Sequence, residues 1–268
     1  MKITTEELLP FLRCPRTHSP LNHQEGALVN DEGHCYPVQD GIIDLVDRDR
    51  EGCDPKMEAG YDDVGGLKYD LWIKNPLIMG FIWGIGVLKV PLVIRKFLEI
   101  PAGWILDIPS GTGVFSISIY RSFPNARFVA VDFSIGMLRA ARERMRKKNI
   151  DNVIFIRADV ANLPFADGTF AGAVSLAGFH AFPDPAAAGI EIGRSLKPEA
   201  PILMTAACSG VRKISDFMID RFMLPRGYFS HGLPAVRYQE FLEKGGIEDL
   251  QVRMAGAIAV TKGRKSPS

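Results

Sequence analysis

The chain has 268 residues, 47% hydrophobic and 24% charged, with a net charge of +1 at pH 7. Such a balance describes a globular domain of ordinary size with a small appendage, and it argues against a broad nucleic-acid surface. The N-terminus MKITTEELLPFLRC lacks the basic, apolar, small-residue order of a secretory signal, and Cys14, Cys35, Cys53 and Cys208 show no disulfide-framework spacing, so the expectation is a cytoplasmic protein with reduced thiols.

Residues 1–50 read as a β-rich unit of their own. Leu12-x-Cys14-Pro15, Leu21 and Tyr36-Pro37-Val38-x-Asp40-Gly41-Ile42 resemble a small zinc-ribbon-like domain. A metal-loaded version carries two cysteine pairs, each separated by two residues. Here Thr17 replaces the second cysteine, Val29 and Glu32 stand at the later pair, and Cys35 is out of register. His18, His23 and His34 are irregularly spaced, so no metal site is expected and apolar residues hold the module together. Glu51 to Tyr69 is polar and glycine-rich and marks a linker, in which Tyr61 and Tyr69 are either ligand contacts or packing aromatics. Pro76 to Ile94 approaches the length of a membrane span, but Gly80, Gly84, Gly86, Lys89 and Pro91 interrupt it. It reads as an apolar cap over a ligand site, or as an interfacial patch reaching a lipophilic ligand.

The stretch Trp104–Phe115, WILDIPSGTGVF, organises the remainder. Trp104 to Asp107 form a buried strand end, a Pro-Ser-Gly-Thr-Gly turn follows, and an apolar helix starts at Val114. Strand, glycine turn and helix open a doubly wound α/β sheet, and Gly111 and Gly113 let backbone approach a ligand. Asp107 would repel a pyrophosphate but suits a ligand carrying an ammonium group. Next come a helix to Phe123, a strand Arg127–Val131, and Asp132, 21 residues beyond Gly111, placed to meet ribose hydroxyls. Ser134 caps the helix IGMLRAARERMRKK, whose Arg139, Arg142, Arg144, Arg146, Lys147 and Lys148 form either a solvated face or a phosphate-binding run.

These segments resemble the first motifs of class I S-adenosylmethionine-dependent methyltransferases, with Pro109 where the first glycine normally stands. VIFIRAD and then ADVANLPF resemble the family's Asp-x-x-x-Leu-Pro-Phe signature. The resemblance implies S-adenosylmethionine as cofactor, held by Asp107, Pro109, Ser110, Gly111, Gly113, Asp132, Phe133, Met137, Asp159, Val160 and Ser175. Asp159 and the Val160 amide would face the adenine edge. Phe170–Leu176 is the fourth strand, and on the following loop His180 is the candidate general base, against a structural or pocket-lining role. Asp184 and Pro185 start the next helix, which with its strand resembles the family's E-x-x-R-x-L-K-P-G-G, with Glu199-Ala200 replacing the glycine pair. Residues 208–235, rich in Phe and Met, form a substrate lid or a longer packed helix. A helix from Pro234, a hairpin of Leu250–Met254 with Ala257–Thr261, and a frayed basic tail from Lys262 complete the chain.

The expected fold is therefore α/β: a seven-stranded doubly wound methyltransferase sheet over 103–262, in order 3-2-1-4-5-7-6 with strand 7 antiparallel, preceded by the small β-rich module and by a linker and cap over 51–102. The branch resembled is that of quinone-biosynthesis-like methyltransferases, which implies a small apolar or aromatic acceptor. An rRNA base methyltransferase and a non-catalytic cofactor-binding protein are the alternatives.

Overall fold

A computed structural model describes residues 3–47, 75–84 and 94–267. The linker with Tyr61, Tyr69 and Cys53, and the part of the apolar run holding Gly86, Lys89 and Pro91, lie outside the described residues.

Among the described residues, eleven strands form one mixed sheet, more than the seven expected. Four belong to the N-terminal module: β1 (Asn22–Gln24), β2 (Ala27–Val29), β3 (Cys35–Gln39) and β4 (Ile42–Asp44). The others are β5 (Trp104–Asp107), β6 (Arg127–Asp132), β7 (Val153–Arg157), β8 (Gly172–Leu176), β9 (Pro201–Ala207), β10 (Ile247–Ala255) and β11 (Ile258–Lys265). Their order is β1-β2-β3-β4-β7-β6-β5-β8-β9-β11-β10. The module joins the sheet because β4 lies parallel to β7, with Ile42, Ile43 and Asp44 opposite Phe155, Ile156 and Arg157. It is a continuation of the sheet and not an appendage. β11 runs antiparallel between β9 and β10, and so the presumed frayed tail is paired strand: Lys262, Gly263 and Arg264 face Leu203, Ile202 and Pro201.

The helices are α1 (Thr5–Leu8), α2 (Pro76–Trp83), α3 (Ser116–Ser122), α4 (Ile135–Lys147), α5 (Pro185–Ser195), α6 (Lys213–Met218) and α7 (Ala235–Lys244). The two-residue period of the strands sorts the core. Trp104, Leu106, Val129, Val131, Ile154 and Ile156 pack on one face with Ile192 of α5 and Tyr238 and Leu242 of α7. Ile105, Phe128, Ala130 and Phe155 take the other, under Ile119 and Tyr120 of α3 and Leu138, Ala141 and Met145 of α4. Every central strand is buried on both faces, as parallel strands covered by helices must be. No helix of the described residues is long and apolar enough to cross a membrane.

In the module, the positions that close around Cys14 are not Val29 and Glu32 but Asn30 and His34. Asn30 donates from Nδ2 to Thr17 Oγ1 at 3.2 Å and Ser19 Oγ at 3.1 Å, while its Oδ1 accepts from the His34 amide at 2.8 Å. Buried Cys14 lies 3.2 Å from the Tyr36 hydroxyl and 3.9 Å from His34 Nδ1. The later pair is displaced because β2 ends at Val29, whose strand pairing with Cys35 leaves the turn after it to supply the inward groups.

Candidate functional site

The glycine turn after β5 is built around two carboxylates. Alternation along β5 puts Asp107 on the Ile105 face, toward α3, where Tyr120 donates to its Oδ2 at 2.5 Å. The residue is fully buried, and its Oδ1 has no hydrogen-bond partner among the described residues. Burial raises its pKa to about 6, against the opposing pull of hydrogen bonds from Ser116 and Tyr120, and the charge of Asp132 raises it further. Asp132, at the tip of β6, accepts from the Gly111 amide at 2.8 Å and the Ser134 amide at 2.9 Å, one bond to each oxygen. Strand pairing puts the two acids on one face of the sheet, with Asp132 two residues beyond Ala130, the partner of Asp107.

The turn itself is held from several sides. The Ser110 amide donates to Val131 O at 2.8 Å. Gly111 has φ +52° and nothing within 4 Å of where a Cβ would stand. Gly113 has φ +70°, and a Cβ there would meet Met145 Cε at 2.7 Å. Pro109 takes the place of the family's first glycine because its ring fits against Gly178 on the β8 loop, where a Cβ would come within 1.9 Å of Pro109 Cδ. Part of the basic run of α4 is committed here. Arg144 Nε donates to Thr112 O at 2.8 Å, while Arg146 and Lys147 pair with Glu143.

Ser134 caps α4 by accepting from the Met137 amide at 3.2 Å, and Met137 is buried. Phe133 sits under the Arg157 guanidinium, 5.6 Å from ring centroid to Cζ, and its carbonyl accepts from Arg157 Nε at 2.9 Å. Asp159 opens the loop after β7 and accepts from the Ala161 amide at 2.9 Å, beside buried Val160. Asp107, Ser110, Gly111, Gly113, Asp132, Phe133, Asp159 and Val160 thus share the C-terminal ends of three neighbouring strands. Ser175 departs from the group: it lies with Ala173 on the opposite face of β8. Its Oγ, like that of Ser110, is buried without a partner. Tyr120, Ser116 and Arg157 were not singled out in the sequence, and Arg144 was read there only as part of a basic run. Ser116 and Tyr120, four residues apart on α3, are one helix face, and that spacing after the turn was the available signal.

His180 lies in a 3₁₀ turn, Phe179–Ala181, and is buried. Its Nδ1 accepts from the Ala207 amide at 3.3 Å, and its ring centroid is 3.9 Å from that of Phe229. Burial pushes its pKa down to about 3. The arrangement needed by a proton acceptor at neutral pH is not the one found. One ring nitrogen is already engaged, the proton of the neutral ring is on the other, and the cation is disfavoured. Beside it stand Trp83 and Phe229, stacked at 5.9 Å, in a cluster with Ile82, Ile219 and Met223. Here the 208–235 segment meets the described end of the apolar run: Ser215 Oγ donates to Ile82 O at 2.7 Å and the Ala257 amide to Trp83 O at 2.8 Å.

The donor set fits a nucleoside bearing a cation. A buried carboxylate with an orphaned oxygen calls for positive charge, and a second carboxylate at the neighbouring strand tip has lone pairs suited to ribose hydroxyls. A family profile described as a methyltransferase domain matches residues 105–199, and one described as Trm112p-like protein matches residues 5–41. The chain is 32% identical over 184 residues to a demethylmenaquinone methyltransferase of Corynebacterium urealyticum, covering 68% of this chain and 71% of that protein. To the protein of the same name in Corynebacterium kroppenstedtii it is 37% identical over 144 residues, 54% of this chain and 57% of that one. The chain spans 57%, 37% and 59% of the length of three curated relatives it matches. Among solved structures, a phosphoethanolamine N-methyltransferase 2 of Haemonchus contortus with S-adenosylhomocysteine superposes with TM-score 0.63 at 18% identity, over 78% of this chain and 60% of that one.

Proposed function

The chain belongs to the class I S-adenosylmethionine-dependent methyltransferases, and from that premise we propose that it transfers a methyl group from S-adenosylmethionine to a small, apolar, quinone-like aromatic acceptor. The observation that carries the cofactor assignment is Asp107, a fully buried carboxylate with one unpartnered oxygen. An ammonium group offsets that charge, where a pyrophosphate would oppose it.

When bound, S-adenosylmethionine supplies an electrophilic methyl group. Asp107 would neutralise the amino-acid end of that ligand, with Tyr120 holding Oδ2. Asp132 would accept from the ribose hydroxyls, while its bonds from the Gly111 and Ser134 amides fix the glycine turn. Asp159, the Val160 amide and Phe133 would hold the adenine. Seven strands from β5 onward make the catalytic unit and 208–235 its lid. Well-aligned reactants gain roughly 7–11 kcal/mol from positioning, so an orienting apolar wall can serve without an obligatory base. Trp83, Phe229 and neutral His180 provide that wall. The names of the relatives point the acceptor toward a demethylmenaquinone-like ring. Against a nucleic-acid acceptor, cations of α4 are spent on Thr112 and Glu143.

Titration calorimetry tests the reading. S-adenosylhomocysteine should bind and NAD should not. Heat from NAD with none from the sulfur ligand would overturn it.

A further inference from the structure

Among the described residues, the large apolar side chains most open to solvent are Phe81 and Phe217, 68% and 59% exposed, with Val211 and Phe222 also exposed. They belong to two elements that pack together: α2, and the helical segment running from α6 through a π-helical turn at Ile219–Met223. That segment is apolar on two sides. Ser215, Ile219 and Met223, four residues apart, point inward and are buried. Phe217 and Phe222 point outward with ring centroids 6.0 Å apart. In a regular α-helix a step of five residues turns side chains about 140° apart. The wider π turn brings them to one face, and an insertion of this kind commonly marks a functional site.

The rim of this patch is basic. Arg212 donates to Phe81 O at 3.2 Å, and Arg226 donates to Phe222 O at 3.3 Å with its guanidinium 5.2 Å from the Phe222 ring centroid. Lys213 and Arg221 are exposed beside them. The acids on the same stretch are Asp216, whose carboxylate accepts from the Gly210 amide at 2.8 Å, and Asp220. Four cations against two carboxylates give the segment an excess of +2, where the whole chain carries +1. Exposed aromatics ringed by arginine and lysine have the chemistry of an element lying in a lipid interface, rings below the headgroups and cations among them.

We propose that this face, Phe81, Phe217 and Phe222 with Arg221 and Arg226, docks on an anionic bilayer. The same segment's inner side packs with Trp83 and Phe229, the wall proposed above for the acceptor, so docking would place that wall close to the phase where a lipophilic acceptor dissolves. This purpose rests on the apolar-acceptor reading above; the docking itself does not.

Co-sedimentation with vesicles, run beside S-adenosylhomocysteine calorimetry, tests it. The wild-type protein should partition onto mixed phosphatidylcholine and phosphatidylglycerol vesicles and weakly onto phosphatidylcholine alone. The double variant F217S/F222S should lose partitioning by about tenfold or more on both. R221E/R226E should lose it on the anionic vesicles only, with the difference shrinking as salt is raised. All three proteins should keep the same cofactor affinity. Wild-type protein that ignores both vesicles, or F217S/F222S that partitions as wild type, overturns the proposal. So does light scattering that finds a wild-type dimer made monomeric by F217S/F222S, which would assign the face to a second copy. Vesicle binding without cofactor heat would instead sink the methyl-transfer reading and leave the docking standing.

Discussion

Asp107 ties stability to the site. Its folded pKa of about 6 lies above the ordinary carboxylate value of 3.8, so between those values the folded state holds the extra proton. By linkage the group then lowers stability as pH rises from about 4 to 6, by roughly 3 kcal/mol, without solvent screening because the side chain is fully buried. Asp107→Asn keeps an acceptor for Tyr120 and removes the charge. Melting curves should show the wild type losing ground to the variant across that window and staying level to pH 7. S-adenosylhomocysteine affinity of the wild type should rise with pH through 6, and that rise should vanish in the variant. A wild-type-minus-variant difference flat from pH 4 to 7 would show the carboxyl to be unperturbed. His180 gives a second separable case. His180→Ala strands the Ala207 amide and opens space beside Phe229, so it should cost about 1–3 kcal/mol for the amide alone. His180→Asn retains an acceptor and should keep turnover within a few-fold. A general base would instead lose about 10²–10⁴ in both variants. Asp107 and the glycines were placed by the strand-and-turn pattern, Asp132 by its spacing, and Asp159 by the family resemblance. Tyr120 was not legible, because a tyrosine in an apolar helix looks like core until the strand opposite it is known to end in an acid.

At the scale of elements, local pattern fixed most of the sheet, and non-local pairing decided what it missed. α4 was readable from Ser134 and the apolar stripe of Met137, Leu138, Ala141 and Met145. α3 begins at Ser116 and not Val114, since the glycine turn continues through Gly113. Lys262–Arg264 read as a tail because charged, alternating residues fit an exposed end, but strands on both sides claim their backbone. The module shows the same limit: its register could be set only by seeing which turn reaches Cys14. Cys14, Thr17, Asn30 and His34 of that cluster are linked by hydrogen bonds. Metal analysis should find no stoichiometric zinc in the wild-type protein. The double variant T17C/N30C would complete three thiols and an imidazole, and it should take up one zinc per chain and melt higher with metal than without. Zinc in the wild type, or none in the variant, would show that these four positions are not the metal-site positions of the scaffold.

For the molecule as a whole, the decisive contact is the parallel pairing of β4 with β7, which makes the module part of the same sheet. Asp44 meets Arg157 at 3.1 Å with both side chains largely buried, and Arg157 in turn holds the Phe133 carbonyl in the cofactor loop. The Leu45 amide donates to Arg157 O, Arg13 to Pro164 O, and Asn162 Nδ2 to Pro15 O, all within 2.9 Å. Leu8, Leu12, Leu28, Ile43 and Leu45 share one apolar cluster with Ile156, Leu163 and Phe165. At present the sheet ends in β1, Asn-His-Gln, short, polar and fully exposed, which is how an edge resists pairing with other chains. Removing residues 1–47 would move that edge to Val-Ile-Phe-Ile-Arg of β7, longer and apolar, and would leave Arg157 without Asp44. In the intact chain, breaking this buried pair by removing one partner costs about 3–5 kcal/mol, whereas truncation also opens Arg157 to water. The truncated protein should therefore aggregate, and any soluble fraction should melt lower. Asp44→Asn in the intact chain isolates the link to the site. It should weaken S-adenosylhomocysteine binding several-fold while the sheet edge stays covered. Calorimetry and sedimentation on both proteins decide the matter. A monomeric truncation with wild-type cofactor affinity would make the module a separable domain after all.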